Sequence, residues 1–168
     1  MRPTPEEYAE YYGLYVDRVP DGEIVATLAD QMRDTQRFLA GIGEEQAGRR
    51  YAPDKWSIKQ VVGHVTDIER VFATRALAFA RGDRAAWPGI DQEEYMAASS
   101  FDRRSLADVS GELAQVREAS LALFRSLDGG EELRRGTASG CVFTVRSIAW
   151  ILAGHELHHV DVVRERYL

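Results

Sequence analysis

Cysteine is nearly absent from this 168-residue chain, which contains only Cys141. A single thiol excludes an internal disulfide and a thiolate metal cluster, and it favours a reducing compartment such as the cytoplasm. No run of residues approaches the roughly 20 apolar positions that a membrane-spanning helix needs. The first seven residues are acidic and lack the apolar core of a secretory signal peptide. We therefore expect a cytoplasmic protein.

Basic residues are also fewer than acidic ones. The chain has 21 Lys and Arg against 27 Asp and Glu, which gives a formal net charge of −6. Proteins that bind nucleic acid or an anionic membrane carry basic surfaces, so we expect neither partner here. Apolar residues make up 45% of the chain, and this length fits one domain with a sizeable core. The expectation is a single domain over residues 1–168.

Long alternating runs of β-branched residues are missing, and helical periodicity dominates the sequence. Thr4 and Glu7 form a capping box ahead of a short helix to about Val16. Capping residues and glycines bound four longer amphipathic segments, which predict helices at about 21–42, 57–81, 105–127 and 144–168. The segments between them are expected to be a loop at 44–56, a long connection at 83–104 with a short helix at 92–98, and an irregular stretch or small hairpin at 131–143. The predicted fold class is all-α, a four-helix bundle whose long connection allows the second and third helices to run parallel.

Histidine is scarce, and its placement is the most informative feature of the sequence. Three of the four histidines are His155, His158 and His159, and the fourth, His64, lies in a distant apolar segment. Residues four apart share one helix face, with Cβ atoms roughly 5–6 Å apart. His155 and His159 can therefore bind one divalent metal ion together.

His64 can reach the same point. It lies roughly 10 Å into its helix, and His159 lies roughly 13 Å from the end of the last helix, at 1.5 Å per residue. If these helices are antiparallel neighbours, the imidazoles share one level near a mouth of the bundle. Three imidazoles facing one point would leave an open metal position, as catalytic sites do. The plainer alternative is that His64 is a core histidine bonded to a carbonyl, with His158 beside the pair or at the surface.

Two carboxylates are candidate catalytic residues beside such a site. Residues 155–159 fit H-E-x-x-H, the zinc-peptidase helix, in which Glu156 is the general base. Such peptidases take a third ligand well downstream, where only nine residues remain. Glu156 and His159 also fit half of a di-iron site, but no second Glu-x-x-His exists. Asp67 could orient an imidazole or accept a proton. For both carboxylates the alternative is a solvated position on a helix.

Two motifs carry a resemblance to a known family. Residues 56–64 (WSIKQVVGH) resemble the start of the second bundle helix in the DinB/YfiT-like superfamily. Residues 154–161 (GHELHHVD) resemble that family's last helix, and the order and spacing of the motifs agree over about residues 23–167. Many relatives carry Gly-Gln after the last histidine pair, where this chain has Val160, Asp161 and Val162.

The resemblance implies an up-down-down-up four-helix bundle with a long crossover between helices two and three, often as a homodimer. It assigns the family's metal triad to His64, His155 and His159, with nickel, zinc or iron as the ion. Characterised relatives include transferases that use a low-molecular-weight thiol such as bacillithiol, and others are regarded as metal-dependent hydrolases. We therefore expect an enzyme that transfers such a thiol to an electrophilic small molecule. The alternatives are a metal-dependent hydrolase and a non-catalytic metal-binding protein of the damage or stress response.

Overall fold

The computed structural model describes residues 1–168, and helices dominate it. The four long helices are α2 (Ile24–Ala40), α4 (Ile58–Ala80), α6 (Leu106–Arg125) and α8 (Val145–Arg166). The short helices are α1 (Gly13–Val16), α3 (Glu44–Ala47), α5 (Gln92–Ala98) and α7 (Gly129–Glu132), and 3-10 turns cover Pro5–Glu7, Glu10–Tyr12 and Phe101–Arg103. No helix is both long enough and apolar enough to cross a membrane. The predicted all-α four-helix bundle is confirmed.

Side-chain caps set the starts of three long helices where the sequence predicted them. Ser57, Ser105 and Thr144 each accept a hydrogen bond from the backbone N–H three residues further on. Each bond satisfies one of the free N–H groups of a first helical turn. The predicted start of α2 at Asp21 is wrong, because the carboxylate of Glu23 caps two N–H groups of the first turn instead.

Two other segments differ from the prediction. The expected helix between Thr4 and Val16 is divided into two 3-10 turns and the single turn of α1. The expected loop at 44–56 begins with the short helix α3. Both segments lie against long helices, and those contacts decide their local conformation more than the propensity of a few residues does.

Hydrogen bonds from side chains to backbone carbonyls establish the direction of α2 and α6. Near the end of α2, the Gln36 amide donates to the Ser110 carbonyl near the start of α6. Near the start of α2, the Leu28 carbonyl accepts from Arg117 in the second half of α6. These two helices therefore run antiparallel.

The direction of α4 follows from its two neighbours. Tyr167, just after α8, donates its hydroxyl proton to the carbonyl of Trp56, just before α4, so α4 and α8 are antiparallel. Phe101, which precedes α6, lies against Gly63 near the start of α4. Further along both helices, Arg117 pairs with Glu69, so α4 and α6 run parallel. These directions are those of an up-down-down-up bundle with a crossover between α4 and α6.

A small three-stranded sheet closes one end of the bundle. Strands β2 (Arg135–Ala138) and β3 (Cys141–Thr144) pair antiparallel, and β1 (Ala86–Trp87) from the crossover pairs parallel with β2. Ser139 and Gly140 both have positive φ, at 53° and 75°. Two such residues form the tight turn that matches strand twist. Of the two alternatives for residues 131–143, the hairpin is present.

Two apolar clusters make up the core. One lies beside the sheet and includes Phe79, Phe143 and Trp150. The other lies toward the opposite end and includes Ile58 and Leu113. Between the clusters, one buried polar side chain from each long helix joins a shared network of hydrogen bonds and ion pairs.

These four residues, which we name the polar layer, are Gln31, Glu69, Arg117 and Glu156. Arg117 donates to both oxygens of Glu69 at 2.7 Å and lies 2.8 Å from Glu156. Gln31 donates to Glu156 at 2.6 Å. Burial opposes the charge of Arg117, but the two carboxylates outweigh it and raise the pKa of Arg117. The polar layer thus links all four helices at one level.

Candidate metal centre

Three imidazoles meet beside the polar layer. His64 lies on α4, and His155 and His159 lie one turn apart on α8. Nε2 of His155 is 3.1 Å from Nε2 of His64 and 3.1 Å from Nε2 of His159. Ligand nitrogens of all three lie within 4.8 Å of one another. The antiparallel pairing of α4 and α8 thus brings together three residues from two distant segments.

The arrangement fits one metal ion better than it fits hydrogen bonds. Metal–imidazole bonds are roughly 2.0–2.1 Å, so two nitrogens on one tetrahedral ion lie roughly 3.3 Å apart. The two separations that involve Nε2 of His155, both 3.1 Å, are close to this value. Nε2 of His155 carries either one proton or one lone pair, and neither serves two neighbouring nitrogens well. A single cation would satisfy all three lone pairs.

Burial keeps the imidazoles in the form that binds metals. Desolvation lowers the pKa of His64 to about 4. The pKa values of His155 and His159 also fall well below the ordinary 6.5, first through desolvation and then through repulsion from neighbouring histidines. At neutral pH the three rings are therefore uncharged, and neutral imidazole is the metal ligand.

Two aromatic rings hold the imidazoles in place. The Trp56 ring lies 4.8 Å from the His64 ring, and the Tyr15 ring packs edge-on against His155 with centroids 5.3 Å apart. The backbone of Tyr15 lies so close to Gly154 that a Cβ there would meet its carbonyl oxygen at 2.0 Å. Sequence patterns do not reveal the role of Tyr15, because its contact with α8 joins two segments that are far apart in the chain.

His158 lies beside the cluster and outside it. Its ring packs 5.7 Å from the Tyr15 ring and 5.0 Å from the His159 ring. It is partly exposed, and it does not belong to the group of three converging nitrogens. This position matches the expectation that His158 stands to one side of the pair.

Glu156 occupies a different environment from either one predicted. Its residue is only 1% exposed, so the alternative of a solvated helix carboxylate is wrong. The side chain pairs with Arg117 and accepts from Gln31 in the polar layer. Successive helix residues differ by about 100° in direction, so Glu156 faces the bundle interior next to His155. The carboxylate anchors α8 within the bundle.

Asp67 is the predicted site residue that the structure does not bring to the imidazoles. Its carboxylate accepts a hydrogen bond from Arg70 at 3.5 Å, and it has no hydrogen bond or ion pair with a histidine. Burial raises the pKa of Asp67, and the positive charge of Arg70 opposes that rise. The contacts of Asp67 are those of a carboxylate on the flank of α4.

Two cavities flank the histidine cluster. The first, of about 230 Å³, we name the Trp56 cavity; Trp56, His158, His159, Tyr51, Lys55 and Tyr167 are among its lining residues. The second, of about 160 Å³, we name the Arg75 cavity; Arg75, His64, His155, Tyr12, Tyr15 and Phe72 are among its lining residues. Gln92 of α5 lines both cavities. Small molecules on either side would therefore reach the imidazoles.

A four-helix bundle with three converging histidines, two of them buried, defines the class of protein. The family model described as the DinB superfamily matches residues 27–163, and the chain belongs to that superfamily. This membership confirms the resemblance that the sequence motifs carried. No curated protein matches the chain in sequence.

A solved structure shares the fold. It is the structure of YfiT from Bacillus subtilis, which is described as "a probable metal-dependent hydrolase with an unusual four-helix bundle topology". The TM-score is 0.75 at 15% sequence identity, and the alignment covers 89% of this chain and 86% of YfiT. At this identity the likeness establishes the common fold.

Proposed function

We propose that this chain is a metal-dependent enzyme that acts on a small molecule, with His64, His155 and His159 holding one ion of nickel, zinc or iron. The convergence of three neutral Nε2 atoms between two cavities carries the proposal. A bound divalent ion lowers the pKa of a coordinated water or thiol and polarises oxygen atoms. Three protein ligands leave a position open for a reactant.

The reaction that we favour is transfer of a low-molecular-weight thiol to an electrophilic carbon. The thiol sulfur forms a bond to that carbon, the bond to the leaving group breaks with its electron pair, and the thiol proton passes to solvent. This reaction needs two reactants. The Trp56 cavity and the Arg75 cavity provide two separate spaces that both reach the imidazoles.

The second candidate is hydrolysis of a small molecule. Its support is the shared fold with YfiT, which is described as a probable metal-dependent hydrolase. Hydrolysis needs one organic reactant and water, so one cavity would be enough.

The structure supports separate roles for the two predicted carboxylates. The pairing of Glu156 with Arg117 supports a positioning role, because it sets the rotation of α8 that turns His155 and His159 toward α4. That role replaces the general-base role predicted from H-E-x-x-H. Asp67 contacts Arg70 and has no part in the proposed reaction.

Electrophile consumption with and without a thiol distinguishes the two reactions. Protein loaded with nickel, zinc or iron would be incubated with 1-chloro-2,4-dinitrobenzene and bacillithiol or cysteine, and separately with 4-nitrophenyl acetate and no thiol. Metal-dependent turnover only with thiol supports transfer, and ester loss without thiol supports hydrolysis. His155→Ala should abolish either activity, and Asp67→Asn, which alters a side chain that lines neither cavity, should retain it. No turnover with any metal would contradict the enzyme proposal and favour a metal-binding protein.

Other expectations from the sequence stay predictions. They are a single domain over residues 1–168, a homodimer, a cytoplasmic location and a link to the stress response.

A further inference from the structure

Arg75 is a buried cation without an anion. It is 3% exposed, and it is the only buried Arg, Asp or Glu that has no ion pair. Its Nη2 donates to the Pro88 carbonyl at 2.7 Å, and its guanidinium lies over the Phe72 ring at 5.0 Å. Its Nε is buried without a hydrogen-bond partner. Such a group is costly to bury unless something else compensates it.

The unpaired guanidinium lines a cavity that leads to the histidines. The Arg75 cavity includes no acidic side chain, whereas Asp54 and Glu93 line the Trp56 cavity. Arg75 follows His64 by three helical turns on the same face of α4, roughly 16 Å along the axis. Because side chains on a helix lean toward its N-terminus, Arg75 leans back toward His64. One end of the cavity is thus cationic and the other reaches the proposed reaction centre.

The walls between these ends are aromatic. The rings of Tyr12 and Phe72 pack edge to face with centroids 6.0 Å apart, and Tyr15 packs against His155. A volume of about 160 Å³ resembles the apolar cavity of roughly 150 Å³ that accommodates benzene. These dimensions and walls suit a flat apolar group.

Resting on the proposed function, we propose that the Arg75 cavity binds the reactant that carries a single carboxylate on a flat apolar body, with Arg75 binding the carboxylate. One unpaired positive charge matches one negative charge, which favours a carboxylate over a phosphate dianion. The guanidinium fork also matches carboxylate geometry. Because Arg75 and the imidazoles lie at opposite ends, the carboxylate is several ångströms from the bond that reacts.

Binding of phenylacetate against its neutral isostere phenylacetamide tests this proposal. Affinities would be measured by NMR titration on the metal-loaded protein and again after chelation. Hydrogen bonds to a charged group favour the carboxylate by roughly tenfold to hundredfold. We expect that preference in wild type, its loss in Arg75→Gln, and its retention in Arg70→Gln. Arg70 is the matched control because it lies on the same helix and lines neither cavity.

The outcomes separate this proposal from the proposed function. Equal binding of acid and amide to wild type, or a carboxylate preference that survives in Arg75→Gln, would overturn it. Preference seen only with metal present would assign the carboxylate to the ion and overturn it as well. If Arg75→Gln fails to fold, NOEs from the phenylacetate ring to Tyr12 and Phe72 in wild type supply the test, and their absence counts against the proposal. A protein that binds no metal but still selects phenylacetate through Arg75 would contradict only the proposed function.

Discussion

Gly154 marks the closest approach between α8 and the N-terminal segment, and alanine at this position tests that packing. A Cβ there would lie 2.0 Å from the carbonyl oxygen of Tyr15 and 2.4 Å from its carbonyl carbon. Ordinary contacts are 3.4–4 Å. Because these are backbone atoms that cannot rotate away, α1 would have to move from α8 by more than an ångström.

The expected loss of stability combines two opposing terms. Overpacking a close-packed core costs about 1–3 kcal/mol, and we expect the upper end because Tyr15 and Val16 both lose packing. Alanine regains about 1 kcal/mol of helix propensity over glycine, so the net loss is about 2 kcal/mol. Gly111→Ala in α6 is the matched control, since a Cβ there meets nothing within 4 Å. That variant should gain about 1 kcal/mol.

Urea and thermal unfolding would measure both variants. In a chain of this size 1 kcal/mol shifts Tm by roughly 2–4 °C. Gly154→Ala should therefore melt roughly 4–8 °C below wild type, and Gly111→Ala roughly 2–4 °C above it. Gly154→Ala should also weaken metal binding, because Tyr15 packs against His155. A Gly154→Ala protein as stable as wild type would refute the close contact between α1 and α8.

Three further predictions concern carboxylates and the polar layer. Burial opposes the ionisation of Glu7, but hydrogen bonds, chiefly from Arg146, outweigh it and lower the pKa of Glu7 from 4.5 to about 2. The stability from this group is therefore full well above pH 4.5 and is lost as the pH falls toward 2. Glu7→Gln should cost about 2 kcal/mol at pH 7, after allowance for solvent screening, and little near pH 2; an equal cost at both values in urea unfolding would contradict the pairing. Arg117→Met leaves two buried carboxylates unpaired and should cost about 3–5 kcal/mol in the same assay. An Arg117→Met protein as stable as wild type would show that the polar layer is hydrated. Asp67→Asn should leave the metal content unchanged. A loss of metal in elemental analysis would show that Asp67 contributes to the metal centre.

Local rules predicted much of the fold and part of the site. Ser57 and Thr144 cap their helices through residues three positions away, so short motifs locate both starts. The pairing of His155 with His159 follows from helix geometry alone. The approach of His64 follows once α4 and α8 run antiparallel, as the family resemblance implied.

Long-range contacts explain the features that could not be predicted from the sequence. Glu156 is buried because Arg117 of α6 meets it, and no spacing within α8 reveals that partner. Arg75 is visible in the sequence as a charged residue that interrupts an apolar stretch, eleven residues after His64 and on the same helix face. This position suggests a binding role only because the structure shows that Arg75 forms no ion pair with a carboxylate.

Metal content directly tests whether His64, His155 and His159 form a metal centre. Freshly purified wild type, His64→Ala and His158→Ala would be compared by elemental analysis, with and without prior incubation with nickel, zinc or iron. We expect about one metal ion per chain in wild type and His158→Ala, and none in His64→Ala, because three ligand nitrogens define the site. Metal retained in His64→Ala, or absent from wild type after incubation, would contradict a metal centre at these three histidines.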